Sequence, residues 1–279
     1  MTAPGLVLYS GTVIQATSFQ QRLEAAVAGG FGAVSLFPHD YLAARSDGAS
    51  DEDLRSALAD AGVRVAAIDP VTTWLPGSAP APGTPRELLD FAQHEVADIM
   101  RIATAIGAAA VNALEFWGQH VPVEDAAIAF GLLCDTAAEH GLRVHLEAMP
   151  FSGIPDLATA WGIVDSAGRD NGGLLLDAWH WFRGANRLEE LQRVPGDRVF
   201  AVQLADGPLA ASDDLPTESM TGRLLPGQGE WPLGVWLAAI RATGAEPTYG
   251  PEVFSSDLAS ADVLDVGIRA GDSTRAVLT

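Results

Sequence analysis

RVHLEA at residues 143–148 and GLLLDAWH at residues 173–180 each contain a short apolar run that ends on one carboxylate, Glu147 or Asp177. Nearly continuous apolar runs of this length are typical of parallel strands that are covered on both faces. A carboxylate directly after such a strand loses hydration, which costs free energy unless the charge is paired or bound to an ion. We therefore expect two buried parallel strands whose carboxyl ends carry chemistry.

The same order of apolar run, polar turn and alanine-rich helical segment recurs along the chain. The predicted strands are Leu6–Tyr9, Ala33–Phe37, Val63–Ile68, Ala109–Leu114, Arg143–Ala148, Gly173–Asp177, Phe200–Leu204 and Thr248–Val253. The predicted helices are Phe19–Ala28, Asp51–Ala61, Pro85–Ile106, Val123–His140, Ile154–Ala167, Arg187–Gln192, Pro232–Thr243 and Asp257–Ala270. Eight strand–helix units in 279 residues give about 35 residues per unit, which is typical of a (β/α)8 barrel.

Residue types at the predicted helix ends agree with these bounds. Ser18, Ser50 and Thr84 precede three helices as N-caps, and Pro85 suits a first helical position. Glycines that favour a left-handed C-cap follow five helices, at Gly29-Gly30, Gly62, Gly107, Gly141 and Gly244.

An open, doubly wound sheet is the alternative α/β fold. It would place a glycine-rich dinucleotide-binding turn after the first strand, and residues 9–12, YSGT, lack that pattern. Two long connections, Asp69–Thr84 and Ala205–Trp231, follow predicted strands on the side where barrels carry their active sites. We predict a single α/β domain over residues 1–279, an eight-stranded parallel TIM barrel with these connections as rim or lid segments.

Composition excludes several classes of function. The chain has 16 basic and 36 acidic residues and a net charge of −20, which argues against binding to nucleic acids or anionic membrane surfaces. Every basic residue is an arginine, so the chain cannot supply a Schiff-base lysine or a phosphate-loop lysine. Cys134 is the single cysteine, which excludes an internal disulfide and a thiolate-rich zinc site. No apolar run reaches the roughly 20 residues of a spanning helix and no secretory pattern is present, so we expect a cytoplasmic protein.

Four oxygen-bearing side chains stand at the carboxyl ends of the last four predicted strands: Glu147, Asp177, Gln203 and Glu252. In a barrel these strand ends converge on one rim. Three carboxylates and an amide oxygen suit Mg²⁺ or Mn²⁺, with cobalt or zinc as alternatives. Each carboxylate alone could instead cap the following helix or pair with an arginine, but four on consecutive strands favour one bound divalent metal ion.

The order strand–Glu147, strand–Asp177-x-x-His180, strand–Gln203 and strand–Glu252 resembles the xylose isomerase-like TIM-barrel superfamily. DAWHW at residues 177–181 and LPGQGE at residues 225–230 are similar to signatures of its sugar phosphate isomerase and epimerase branch. The resemblance covers nearly the whole chain and implies that the four strand-end residues bind the metal. It also implies that His180 hydrogen-bonds the substrate and that Glu147 and Glu252 act as acid and base.

The sequence departs from the superfamily pattern at particular positions. Gln203 replaces the more usual histidine and supplies a neutral amide oxygen, which favours hard ions. Leu209 and Gly153 stand where ketohexose 3-epimerases carry an arginine and a glutamate. The His-rich cluster and basic surface of endonuclease IV are not visible. These differences argue against a ketohexose epimerase and against a nuclease.

Two further histidines have a functional and a structural interpretation. His145 lies two residues before Glu147 and faces the same side of its strand, so it is either a general base or a hydrogen-bonded interior histidine. His39 follows the second predicted strand and either binds substrate or caps a turn.

Other residues complete the predicted pocket. Arg183 either binds a substrate anion or pairs with an acidic residue at the rim. Asp206 and Arg223 lie in the long connection, as lid contacts or solvated charges, while Asn112 and Glu115 are weaker pocket candidates. Tryptophans after strand ends are expected to form an apolar wall against a ring: Trp74, Trp117, Trp179 and Trp181.

The resulting hypothesis is a metal-dependent isomerase or epimerase for a small keto-sugar or polyol. The ion would polarise the carbonyl or adjacent hydroxyl oxygen, and a carboxylate or His145 would remove the neighbouring proton to give an enediolate. Loss of a β-hydroxyl or an aglycone after the same first step would make the enzyme a lyase or dehydratase. A non-catalytic polyol-binding barrel is the third alternative, and assembly with a second copy or a partner subunit stays open.

Overall fold

All eight predicted strands are present and close into a parallel barrel. The computed structural model describes residues 3–80, 82–84, 89 and 93–279, without the side chains of residues 3 and 4. The strands are β1 (Ala3–Leu8), β2 (Phe31–Leu36), β3 (Arg64–Val71), β4 (Ala110–Leu114), β5 (Arg143–Glu147), β6 (Gly172–Asp177), β7 (Val199–Leu204) and β8 (Thr248–Pro251). Each strand pairs with the next, and β8 pairs with β1. The (β/α)8 prediction is confirmed.

Helices cover the outside of the barrel between the strands. Their bounds are Phe19–Gly29, Pro38–Ser46, Asp51–Ala61, Val96–Ala105, Val123–Glu139, Leu157–Ala167, Ala178–Arg183, Leu188–Leu191, Leu215–Thr221, Leu233–Ala242, Ser256–Ala259 and Val263–Leu278. Ser18 and Ser50 accept hydrogen bonds from the third residue of their helices, as predicted. Gly30 and Gly62 take the left-handed conformation, with φ of 73° and 65°, that ends a helix without steric cost only in glycine.

Three helix predictions are wrong in extent, and one of them, Ile154–Ala167, begins three residues later at Leu157, because Asp156 is the N-cap. Leu89 is helical but residues 93–95 are not, so the single helix predicted over Pro85–Ile106 is interrupted, and its last part is the helix Val96–Ala105. Its predicted first turn, at residues 85–88, lies outside the described residues. The helix predicted over Asp257–Ala270 is divided, because the Asp262 carboxylate accepts hydrogen bonds from two following backbone N–H groups and starts a new helix at Val263.

Three helices were not predicted: Pro38–Ser46, Ala178–Arg183 and Leu215–Thr221. The first and third begin with or contain an early proline, and the second begins directly at the end of β6. Each has at most nine residues, too few for a clear apolar period of 3.6 to emerge from the sequence. Within the described residues, no helix combines the length and the apolar character needed to cross a lipid bilayer.

Candidate metal centre and active site

The carboxyl ends of β5 to β8 carry the four predicted metal ligands. Glu147 ends β5, Asp177 ends β6, Gln203 lies near the end of β7, and Glu252 follows β8. All four are buried, with at most 5% of each residue exposed. Asp177 and Gln203 are direct partners in the strand register, so both project from the same edge of the barrel.

Asp177 is held in place by the helix that begins beside it. Its Oδ1 accepts a hydrogen bond from the backbone N–H of His180 at 2.8 Å, so Asp177 caps the helix. Its Oδ2 accepts a hydrogen bond from Nη1 of Arg223 at 2.9 Å, in a buried ion pair. Helix capping and arginine pairing are therefore both present at this residue. Because a carboxylate has about four acceptor positions, Asp177 keeps capacity for a further ligand.

Glu147 lies between His180 and Asn112. Its Oε1 is 3.2 Å from Nε2 of His180, and its Oε2 accepts a hydrogen bond from Nδ2 of Asn112 at 2.7 Å. Ligand atoms of Glu147, Asp177 and His180 lie within 4.8 Å of one another. His180, predicted as a substrate contact, thus belongs to a group that could hold a cation, whereas Glu252 is not part of this group of three.

Gln203 tests whether a cation fits the site. Its side chain is fully buried, and neither Nε2 nor Oε1 has a hydrogen-bond partner among the described residues. A buried amide without partners costs free energy, and an amide oxygen is a ligand that hard divalent cations use. The chemistry of Glu147, Asp177 and Gln203 fits a divalent ion, and Glu252 lines the same pocket as Glu147.

Burial and mutual repulsion raise the pKa values of two carboxyl groups in the pocket. The pKa of Glu252 lies well above its usual range, chiefly because the side chain is buried and further because Asp69 and Glu147 are nearby charges. Burial, with the charge of Glu147, raises the pKa of Asp69 to about 8. A divalent cation would offset this repulsion, so the charge distribution agrees with a cation site.

A pocket of about 320 Å³ opens at this end of the barrel. Its ionisable lining residues are Asp69, Glu147, His180, Arg223 and Glu252. Its walls are apolar and mostly aromatic: Phe37, Leu114, Phe116, Trp117, Met149, Phe151, Met220 and Phe254. The pocket therefore combines a charged end with a wall suited to the face of a ring.

Tryptophans contribute less to this wall than predicted. Trp117 lines the pocket, but the other three do not appear among its described lining residues. Trp74 instead donates a hydrogen bond to the Leu114 carbonyl and meets Phe130 edge to face. Trp179 is fully buried and Trp181 packs on Trp236. Phenylalanine and methionine side chains supply most of the apolar wall in their place.

Three predicted substrate contacts do not line the pocket. His39 has half of its side chain exposed and stacks on Phe37 in a separate depression of the surface. Arg183 forms a buried ion pair with Glu218 at 2.6 Å. Asp206 accepts hydrogen bonds from three backbone N–H groups of residues 207, 227 and 231. Arg183 and Asp206 thus organise the long connection after β7.

His145 lies one layer below the metal residues, inside the barrel. It pairs with Asn112 in the strand register and meets the ring of Phe200 edge to face. Burial, together with the positive charge of Arg143, lowers the pKa of His145 to about 4. Its Nδ1 has no hydrogen-bond partner in the described part of the chain, and the residue does not appear among the described pocket-lining residues. This position agrees with a neutral interior histidine, and its predicted role as a base stays a prediction.

One pocket residue, Asp69, was not identified from the sequence, and another, Arg223, was left as either a lid contact or a solvated charge. Asp69 follows the apolar run of β3 and repeats the signal seen at Glu147 and Asp177, but it was assigned to the start of a loop. Arg223 lies in the long connection, where no local pattern distinguishes a buried arginine from a solvated one. In the structure it is 2% exposed, pairs with Asp177 and donates to the Glu252 carbonyl.

Comparison with known proteins agrees with this fold. The sequence model of the xylose isomerase-like TIM barrel matches residues 23–272. The chain belongs to this family. A 3-dehydroshikimate dehydratase of Pseudomonas aeruginosa is 30% identical over 264 residues, which make up 90% of this chain and 38% of the relative. This chain therefore spans less than half of that enzyme's length.

Two further comparisons show what the barrel resembles. An inosose isomerase of Bacillus velezensis is 27% identical over 151 residues, 53% of this chain and 52% of the relative. The crystal structure of the IolI protein with a bound zinc atom superposes with a TM-score of 0.84 at 20% identity and covers 98% of both chains. At that identity the likeness shows the fold. The relatives with named activities are thus an isomerase and a dehydratase.

Proposed function

We propose that the protein is a divalent-metal-dependent isomerase or epimerase that moves a proton beside the ketone of a small, ring-shaped keto-polyol. The observation that carries this proposal is that Glu147, Asp177, Gln203 and Glu252 are all buried at the carboxyl ends of β5 to β8, where Glu147 and Glu252 line the pocket and the Gln203 amide has no hydrogen-bond partner among the described residues. Asp177 already caps a helix and pairs with Arg223, but the buried Gln203 amide has no partner among the described residues and the carboxyl group of Glu252 is crowded by other acidic groups, two costs that a bound cation would offset.

The metal would be held by Glu147, Asp177, Gln203 and Glu252. When bound, a divalent ion polarises a ketone or hydroxyl oxygen and so makes the neighbouring C–H bond more acidic. The oxygen-rich donors favour Mn²⁺ or Mg²⁺. Zinc is an alternative, since the structurally similar IolI protein was solved with a zinc atom.

Glu147 and Glu252 are the proposed acid–base pair. Glu147 lies between the Asn112 amide and the His180 ring, which hold its carboxyl group in one orientation at the pocket, and it would remove the proton. Glu252 is the other buried glutamate that lines the pocket, and it would return the proton to carbon. Paired carboxyl groups with unlike environments can therefore divide the two proton transfers between them.

The pocket walls support a ring-shaped substrate. Aromatic side chains at Phe116, Trp117 and Phe151 offer flat apolar surface, while the acidic residues lie at one end of the pocket. A six-membered ring with a ketone and several hydroxyls presents an apolar face and a polar edge that match this division. Dehydroshikimate and inosose, named in the two relatives, are both ring ketones of this kind.

Dehydration of such a ring is the second candidate. It is favoured by one observation: the dehydroshikimate dehydratase matches 90% of this chain, whereas the inosose isomerase matches 53%. Elimination begins with the same proton removal. The β-hydroxyl then leaves as water, and it takes the proton that Glu252 would otherwise return to carbon.

Incubation with two candidate substrates in deuterated water distinguishes isomerisation from dehydration. The purified protein is dialysed against a chelator, reloaded with Mn²⁺, and incubated with inosose or with 3-dehydroshikimate in D₂O. Isomerisation is expected to give a product of unchanged composition that carries deuterium at the exchanged carbon, whereas elimination gives a product lighter by one water. Loss of turnover after chelation and its return with Mn²⁺ would support metal dependence. Absence of deuterium exchange and turnover on both rings would contradict the proposal and favour a binding protein.

A further inference from the structure

The side-chain amide of Asn112 lies between two buried carboxyl groups. Its Nδ2 donates one hydrogen bond to Oε2 of Glu147 at 2.7 Å and another to Oδ1 of Asp69 at 3.0 Å. Asn112 is fully buried in β4, and the two acceptors come from β5 and β3 on either side. One amide group thus joins three consecutive strand ends at the pocket.

The orientation of this amide is determined by its neighbours. The NH₂ group has two hydrogens and both are used, whereas a flipped amide would direct its oxygen at two carboxylate oxygens. Oδ1 of Asn112 has no hydrogen-bond partner among the described residues, so the two bonds to carboxylates alone set the orientation. Asp69 is needed for this arrangement because it accepts the hydrogen that does not go to Glu147.

These hydrogen bonds restrict the rotation of the Glu147 carboxylate. Asn112 fixes Oε2 on one side, and Oε1 lies 3.2 Å from Nε2 of His180 on the other. A carboxylate held from both sides loses little additional freedom when it binds a cation, and groups that orient a metal ligand in this way commonly affect affinity by 10- to 100-fold.

We propose that Asn112 and Asp69 are positioning residues for Glu147, and that Asp69 acts through the Asn112 amide. The proposal rests on the proposed metal function, in which Glu147 is a ligand. It predicts that removing either residue weakens divalent cation binding although neither need touch the ion.

Mn²⁺ binding, followed through the electron paramagnetic resonance signal of free Mn²⁺, tests this role. Asn112→Leu is close in shape to asparagine and removes both hydrogen bonds, and we expect the dissociation constant to rise at least ~10-fold while the melting temperature of the metal-free protein stays high. Asn112→Ser, whose hydroxyl is too short to bridge both carboxyl groups, is expected to act in the same direction. Asp170→Asn removes a carboxylate from a fully exposed side chain and is the control, with unchanged affinity.

A double-mutant cycle tests whether Asp69 acts through Asn112. Asp69→Leu alone is expected to weaken Mn²⁺ binding, and to weaken it less when Asn112 is already leucine. Equal effects of Asp69→Leu in both backgrounds would overturn the relay, because Asp69 would then act by its charge alone. An affinity within twofold of wild type for Asn112→Leu would overturn the positioning role of Asn112.

The crystal structure of metal-free Asn112→Leu separates this inference from the proposed function. We expect the Glu147 carboxylate to have rotated, with Oε1 no longer within hydrogen-bond distance of His180. An unmoved carboxylate overturns the inference whether or not any metal binds. Failure of the wild-type protein to bind Mn²⁺, Mg²⁺ or Zn²⁺ would contradict the proposed function instead.

Discussion

The buried carboxyl groups differ in whether neighbouring groups compensate their negative charge. Asp177 receives a backbone N–H and the Arg223 guanidinium, so its negative charge has two partners. Glu252 has a raised pKa, because burial and the charges of Asp69 and Glu147 outweigh the attraction of Arg223. In a metal-free protein Glu252 therefore opposes folding at neutral pH, where the unfolded chain ionises it freely.

Glu252→Gln is expected to separate activity from stability. Turnover should fall by at least about 100-fold, because glutamine cannot exchange the proton that the proposed reaction needs. The melting temperature of the metal-free variant at pH 7 should equal or exceed that of the wild type, because the crowded carboxyl group is gone. Kinetics and thermal unfolding measure the two effects. Near-normal turnover in a folded Glu252→Gln protein would remove Glu252 from the catalytic pair.

His145 gives the protein a specific sensitivity to acid. Its pKa is lowered to about 4 in the folded state by burial and Arg143, against roughly 6.5 in the unfolded chain. The stabilisation from neutral His145 is therefore present above about pH 6.5 and is lost as the pH falls towards 4. Between pH 7 and pH 5 this amounts to about 2 kcal/mol.

His145→Gln should remove that part of the acid response. The loss of unfolding free energy between pH 7 and pH 5, measured by urea denaturation, should be smaller in the variant than in the wild type. Equal losses in both proteins would show that His145 is protonated in the folded state. His140, which lies at the end of an outer helix, provides a matched substitution that should leave the difference unchanged.

The connection after β7 is held to the barrel by its own ion pair and hydrogen bond. Its helix Leu215–Thr221 places Ser219 and Met220 against the pocket, and Glu218 of the same helix pairs with Arg183 through largely buried side chains. The Trp179 indole N–H also donates to Glu218. The sequence indicated a rim segment here, and the structure shows that this segment is fastened to the helix that follows Asp177.

Arg183→Met should loosen this connection without unfolding the barrel. Breaking a buried ion pair leaves Glu218 as an uncompensated charge, which costs about 3 kcal/mol or more. Hydrogen exchange at the backbone amides of Leu215–Thr221 is expected to become faster, while amides of the barrel strands keep their protection. Arg187→Met removes a largely exposed arginine from its pair with Glu190 and is the control. Unchanged exchange in Arg183→Met would show that the ion pair does not hold the helix.

The limits of sequence prediction are clearest at the level of these elements. Asp177 and Glu147 were identified because a carboxylate after an apolar strand is a local signal, and Asp69 carries the same signal in front of Pro70. Arg183 and Asp206 were expected at the substrate because their position in the chain allowed it, but their charges are satisfied by Glu218 and by backbone N–H groups. Contacts of that kind depend on how a connection folds back, which no local pattern encodes.

For the molecule as a whole, the barrel could be predicted because the same sequence signals recur in successive strand–helix units. Eight apolar runs, helix caps such as Ser50 and C-terminal glycines such as Gly62 each support the same architecture, so an error at one element changes little. The site depends on single side chains and was predicted less completely. Asn112 is an example, because its hydrogen bonds to residues of β3 and β5 can be recognised only when the register of β3 to β5 is known.

The pocket carboxyl groups also contribute to the pH response of the metal-free protein as a whole. Folded-state pKa values raised to about 8 for Asp69, and well above the usual range for Glu252, mean that stability from these groups is greatest below about pH 4 and declines as the pH rises towards 8. Saturating Mn²⁺ should reverse the decline and raise the melting temperature most at high pH. Calorimetry with and without chelator measures this, and a metal effect that does not grow with pH would contradict it.

A crystal soaked in Mn²⁺ tests the central claim most directly, through the anomalous difference density. The account predicts one strong peak at the barrel mouth, within about 2.0–2.4 Å of oxygen atoms from Glu147, Asp177, Gln203 and Glu252. A well-diffracting crystal with no peak there, or with a peak that leaves Gln203 and Glu252 unliganded, would contradict the claim that these four residues bind one cation.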